Sequence, residues 1–150
     1  VGEFLLSHPN MRVPPRGSIF SCNMGNYHYW GEGVRKYVDD VMSKDPDRRR
    51  PFSSRYIGSL VADIHRTLVY GGIFMYPMDF KDPKKPAGKL RLLYEAAPMA
   101  MLIEQAGGAA SNGEIPILDI VPKSLHERTP LYIGSKDEMS VLCDFIKKHG

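Results

Sequence analysis

Lys89, Arg91 and Glu95 put two cations one residue apart and then a carboxylate at the head of KLRLLYEAAPMAMLIEQAGG, residues 89–108. The spacing predicts a helix that opens at Glu95, with Pro98 in its first turn and Gly107-Gly108 closing it. Proline suits a helix start because its missing N–H would be an orphan there, and glycine suits the residue after the end. Cations and a carboxylate at a helix N-terminus suit phosphate and a divalent ion, so the chemistry suggested is phosphoryl. The same residues also read as an exposed strand end followed by a glutamate that the helix dipole favours. A second segment, RYIGSLVADIHRTLVYGG at residues 55–72, tips the balance toward the phosphoryl reading.

Elements must carry these groups. Residues 4–6, 18–22, 73–76, 117–121 and 131–134 read as strands, with one more short strand ahead of an Asn112-Gly113 turn. Val34, Tyr37, Val38, Val41 and Met42 share one helical face, and Ile57, Leu60, Val61, Ile64 and Leu68 share another. A last helix is predicted from a capping box, Ser135 with Glu138, and has Met139, Leu142, Cys143 and Ile146 on its apolar face. Residues 79–88 form a polar, proline-rich loop and 122–130 a connecting one. Alternating strands and helices predict an α/β fold: a three-layer αβα sandwich on a mixed sheet of about five strands. Ligands of such sheets sit at the carboxyl ends of strands, where Asn23 and Tyr76 fall.

The 150 residues are one domain's length, and 43% hydrophobic and 25% charged content is that of a globular chain. No apolar run approaches the roughly 20 residues of a membrane span, and the N-terminus lacks the pattern of a signal peptide. Cys22 and Cys143 have no metal-ligand spacing and read as buried thiols of a reducing compartment. A net charge of +3, without aromatic platforms or nucleic-acid motifs, argues against a nucleic-acid partner. Arg48, Arg49 and Arg50 read as a solvated loop, or as contacts to an anionic ligand or a neighbouring subunit.

NMGN (23–26), SRYIGSLVADIHRTLVYGGIFMYP (54–77), GKLRLLYEAAPMAMLIEQAGG (88–108) and ILDIVPKSLHERTPLYIGS (117–135) together resemble the C-terminal half of a class I fructose-1,6-bisphosphatase. The resemblance implies a gluconeogenic hydrolase that removes the 1-phosphate of fructose 1,6-bisphosphate with Mg²⁺, Mn²⁺ or Zn²⁺ and leaves fructose 6-phosphate. By resemblance Asn23, Asn26, Tyr56, Tyr76 and Lys89 contact the sugar and its 6-phosphate, and Gly58 to Leu60 form a turn whose backbone approaches the sugar. Arg55 matches an arginine that enters a neighbouring subunit's site, which implies a homo-oligomer, a tetramer in the family. Arg91 matches a residue beside the reacting phosphate, and Glu95 a metal ligand, so these two are the catalytic candidates. The family setting is the cytoplasm or an organelle of carbohydrate metabolism, with no membrane partner. Two positions depart: Met24 stands where many relatives have Glu, and Asn26 where some have a phosphate-binding tyrosine.

Each residue also has a plainer reading. Tyr56 and Tyr76 flank apolar runs as core aromatics would, Asn23 suits a turn, and His65 suits a packed or solvated place on its helix. Two-metal hydrolysis needs several carboxylates. Here Glu95 is the one in the matching motif, since Asp63 is expected on its helix's polar face and Asp79 and Asp82 in the variable loop. The expectation is therefore a single sugar-phosphate-binding domain over residues 1–150, lacking the N-terminal metal and AMP domain and inactive alone. The alternatives are a sedoheptulose-1,7-bisphosphatase and a non-catalytic sugar-phosphate-binding or assembly module.

Overall fold

The computed structural model describes residues 2–150. Its strands are Ile19–Ser21 (β1), Ser53–Ser54 (β2), Ile73–Tyr76 (β3), Leu90–Arg91 (β4), Ala109–Ser111 (β5), Arg128–Thr129 (β6) and Leu131–Gly134 (β7). Its α-helices are Glu32–Met42 (α1), Leu60–Tyr70 (α2), Ala97–Gln105 (α3) and Lys136–His149 (α4). The main sheet runs β2-β1-β3-β7-β5, and β4 pairs with β6 beside it. β1 is parallel to both β2 and β3, while β7 runs antiparallel to β3 and β5. The carboxyl ends of β1, β2 and β3 therefore lie side by side.

Side chains alternate across a strand, so β3 serves two cores at once. Ile73 and Met75 join Phe20, Val34, Tyr37, Val38, Val41 and Leu142 in the layer under α1 and α4. Phe74 joins Ile64, Leu92, Ala100, Ile103, Leu131 and Ile133 in the layer under α2 and α3. This is the mixed αβα sandwich that the alternating elements predict.

α1 and α4 cross closely because Gly33 has no side chain: a Cβ there would stand 2.7 Å from the Ile146 Cα and 2.8 Å from the Phe145 carbonyl oxygen. Gly33→Ala is expected to lower stability by about 1–2 kcal/mol, overpacking outweighing the roughly 1 kcal/mol that alanine gains in a helix. A melting temperature unchanged or raised in that variant would show that the helices part without cost.

Several elements differ from expectation. Residues 4–6 form no strand, and Phe4, Leu5 and Leu6 are exposed. Residues 117–121 are no strand either: Ile117–Asp119 is a 3-10 turn entered through Pro116, and it buries Ile117 against α3's layer. Met42, Ile57 and Val61 face outward, whereas Asp63 is fully buried. The capping box does not form. The Ser135 hydroxyl accepts from Gly72 N at 2.9 Å and donates to the Pro14 carbonyl at 2.7 Å, so it joins three segments of the chain.

Glu138 belongs instead to a buried ionic group. Arg50 lies within 3.2 Å of Asp40 and 3.8 Å of Glu138, with its guanidinium 4.3 Å above the Phe52 ring. Tyr37 donates to Glu138 at 3.5 Å. Arg48 also pairs with Asp40, at 2.6 Å. Arg48 and Arg49 are exposed, as the solvated-loop expectation has it, and Arg50 is the one that departs from it. Cys22 is a buried free thiol pushed up to about 12 by burial, and Cys143 is a half-buried one.

Candidate active site

Because β1, β2 and β3 end on one edge, the residues that follow them meet there. Asn23 follows β1 and caps the 3-10 turn Met24–Tyr29, its Oδ1 accepting from Gly25 N at 3.1 Å. Arg55 and Tyr56 follow β2, and Tyr76 ends β3. The β4–β6 pair leads into β7, whose first residue, Leu131, is in register with Tyr76. It brings Lys89, Leu90 and Arg91 to the same edge.

Two adjoining clefts result, with Tyr76 in the wall of both. The first is lined by Asn23, Asn26, Trp30, Tyr76, Asp79 and Lys89. The second, of about 180 Å³, is lined by Tyr56, Gly58, Leu60, Asp63, Tyr76 and Glu95. Gly58 has φ +84°, a left-handed conformation that glycine takes without strain, and so the chain can turn into α2 there. Burial pushes the Tyr56 phenol up, and Tyr76 nearby adds to this. A roomier cleft of about 430 Å³ lies between α1, α4 and the segment after β3, but its walls are chiefly apolar: Val34, Met78, Phe80, Tyr132 and Ile146.

In the first cleft the Lys89 ammonium lies 2.9 Å from Asp79. The Asp79 hydrogen bond and charge hold Lys89 above its ordinary range, and Lys89 together with the Lys81 N–H holds Asp79 below its own. Asp79 thus belongs to the cleft wall as well as to the loop. Paired backbone bonds, Asp79 N to Ala87 O at 3.0 Å and Ala87 N to Asp79 O at 3.1 Å, close the base of that loop.

In the second cleft Glu95 does not open an α-helix. It sits in a π-helical turn, Leu92–Ala96, ahead of α3, with Pro98 in the first turn of α3 as the sequence predicts. Such turns recur at functional sites because they re-aim a side chain. Glu95 Oε2 accepts from Arg91 N at 2.6 Å, which commits one oxygen to its own turn. Among the described residues no cluster of three His, Cys, Asp or Glu side chains could hold a metal ion. Glu95 fits a divalent ion as one donor of several, and its partners would have to come from outside this set of residues.

Two predicted residues stand apart from the clefts. Arg91 Nε donates to the Tyr94 hydroxyl at 2.9 Å, and that hydroxyl is 2.9 Å from His126 Nδ1. Arg55 is exposed and donates from Nη1 to the Ser54 carbonyl at 2.8 Å. His65 is solvated on α2. Met24 turns toward the core, where its sulfur lies 3.7 Å from Cys22 Sγ.

The residue that sequence reasoning missed is Asp63. Its carboxylate accepts from Ile57 N at 3.1 Å, Gly58 N at 3.1 Å, Ser21 Oγ at 3.1 Å and Arg66 Nη2 at 2.7 Å. A signal was present: an acid in the first turn of a helix, five residues after a glycine, can reach back to the N–H groups of the entering turn.

The αβα domain thus gathers an ammonium, two phenols, two amides and three carboxylates at the carboxyl edge of its parallel strands, where such sheets place their ligands. The chain belongs to the family described as Fructose-1-6-bisphosphatase, C-terminal domain, which it matches over residues 13–147. It is 58% identical over 149 residues to a protein of Maridesulfovibrio salexigens named fructose-1,6-bisphosphatase class 1, covering 99% of this chain and 44% of that protein. It is 57% identical over 150 residues to the class 1 protein of Leptospira biflexa, covering 99% of this chain and 43% of that one. A chloroplastic fructose-1,6-bisphosphatase of Brassica napus is 53% identical over 141 residues, covering 94% of this chain and 33% of its own. The chain thus spans less than half the length of these relatives.

Proposed function

We propose that this chain is the sugar-phosphate-holding part of a metal-dependent phosphatase that hydrolyses the 1-phosphate of fructose 1,6-bisphosphate to fructose 6-phosphate, a step of gluconeogenesis. The observation that carries this reading is the pair of clefts joined at Tyr76, with Lys89 in one and Glu95 in the other. A sugar bisphosphate is an elongated molecule with a charge at each end, and the adjoining clefts offer it the Lys89 ammonium at one end, phenol hydroxyls between, and Glu95 at the other.

In this reading Lys89 holds the 6-phosphate by a charge-assisted hydrogen bond, helped by the Asn23 and Asn26 amides and the Tyr76 hydroxyl. Tyr56 and the Gly58–Leu60 turn flank the sugar. Arg91 and Glu95 stand on the side of the 1-phosphate, and Glu95 would be one ligand of a divalent cation such as Mg²⁺. That ion would supply Lewis-acid polarisation of the phosphoryl oxygens. Remaining ligands are assigned to an N-terminal part of the protein, and Arg55 to the site of a neighbouring copy in a homo-oligomer.

The expected result is that the 150-residue chain binds fructose 6-phosphate but releases no phosphate from fructose 1,6-bisphosphate with Mg²⁺ present. Adding the N-terminal part of the protein restores turnover, faster on fructose than on sedoheptulose bisphosphate. Steady phosphate release by the chain alone would overturn the assignment of the missing ligands.

A further inference from the structure

We infer that Asp63 and Arg66 act as a positioning pair that sets the sugar-facing wall of the second cleft. The inference rests on the functional reading above for the identity of the ligand, but on geometry alone for the brace itself. Asp63 is fully buried, and a buried carboxylate is tolerable only when donors surround it. Its donors come from three separate elements: Ser21 on β1, the Ile57 and Gly58 amides of the turn, and Arg66 one helical turn further along α2. Arg66 Nη2 also donates to the Arg55 carbonyl at 3.0 Å, so the pair grips both ends of the stretch 55–58.

Beyond the bond from Arg55 N to the Phe20 carbonyl at 3.0 Å, that stretch has little else to hold it. Arg55, Tyr56, Ile57, Gly58 and Ser59 are all exposed, and β2 before them is two residues long at the sheet edge. Apolar burial therefore does not fix where Tyr56 and Gly58 stand. The carboxylate does, by fastening two consecutive amides to a helix that is itself packed on the sheet through Ile64 and Thr67. Tyr56, Gly58 and Leu60 line the cleft together with Asp63, Tyr76 and Glu95, so the brace sets the width available to the sugar. Asp63 touches no reacting group in this account. It works through the turn.

Asp63→Asn tests the pair. One amide oxygen cannot serve both the backbone amides and Arg66, and the charge that strengthens all four bonds is lost. Hydrogen exchange of the Ile57 and Gly58 amides is expected to speed up about tenfold or more, while the amides of β3 and β7 keep their rates. Fructose 6-phosphate affinity, measured well below the melting temperature, is expected to fall about ten- to hundredfold, the scale of an ångström-sized misplacement. Ser21→Ala removes the one donor that comes from β1 while the carboxylate keeps its bonds to the turn and to Arg66, so it should lower stability while leaving affinity within about twofold. If Asp63→Asn does not fold, Arg66→Lys takes its place, because a lysine can bond Asp63 but not span to Arg55, and a smaller loss of affinity is expected.

Exchange at 57 and 58 that is unchanged in the variant overturns the brace. Faster exchange with unaltered affinity overturns its role in the site. A native chain that binds no sugar phosphate refutes the functional reading instead, and the exchange rates then decide the brace alone.

Discussion

Lys89→Ala is expected to weaken binding of fructose 6-phosphate by about tenfold to a hundredfold, the worth of a hydrogen bond to a charged group. In the free chain the ammonium is already engaged, 2.9 Å from Asp79, so phosphate must compete for it. The competition is uneven. The lysine side chain is 47% exposed, and an ion pair that open to water is worth about 1 kcal/mol or less. A phosphate carries more charge and more acceptor oxygens, and it meets Asn23 and Asn26 in the same cleft. Lys84 and Lys85 supply the control, since each is an exposed cation of the nearby loop and its removal changes net charge equally. Titration calorimetry should show affinity within about twofold for Lys84→Ala, the scale of a screened surface charge. If both variants lose affinity alike, the cleft attracts by general field and Lys89 has no special role.

The second large effect concerns stability. Arg50→Met should destabilise the chain by roughly 3–5 kcal/mol, because it strands Glu138, whose side chain is only 8% exposed, and leaves Asp40 with Arg48 as its remaining cation. At this length that is a fall of roughly 10 °C or more in melting temperature. The deficit should depend on pH. Burial raises the Glu138 carboxyl above its ordinary range, while the Arg50 charge opposes the rise. An acid whose folded value is raised binds its proton more tightly when folded, so its penalty appears as pH climbs through that range. Without Arg50 the value climbs further and the penalty at pH 7 grows. The gap between variant and native chain should therefore be widest at neutral pH and narrow as the solution is acidified. A pH-independent gap, or one below about 1 kcal/mol, would mean that water reaches Glu138 and replaces the arginine.

Where a residue's role follows from its own neighbours in sequence, reading the chain succeeded. β3 and β7 are short apolar runs buried on both faces, and they lie where those runs predict. The α1 face of Val34, Tyr37, Val38 and Val41 is buried as its spacing predicts. The edge that collects Asn23 and Tyr76 was legible because parallel strands put their carboxyl ends together. What escaped was decided by distant partners. Residues 4–6 are as apolar as a strand, but no strand of the sheet pairs with them. Asp63 looks like a solvated helix residue until Ser21, Ile57 and Gly58 converge on it. The Ser135–Glu138 pattern fits a capping box locally, yet Arg50 takes the glutamate and Gly72 and Pro14 take the serine. Asp79 was assigned to a variable loop, and only the fold shows it facing Lys89.

The closed base of that loop separates two kinds of change. Asp79 and Ala87 meet through two backbone bonds, Phe80 N and Lys81 N are held by the Tyr29 carbonyl and the Asp79 carboxylate, and the five residues beyond them, 82–86, are exposed. Doubling such a loop costs only about 0.6 kcal/mol in closure entropy. The excursion can thus drift in length and composition, or accept a grafted peptide, while Asp79 at its foot keeps its place beside Lys89. A surface tag or a recognition sequence for another protein could be installed there without rebuilding the Lys89 cleft beneath.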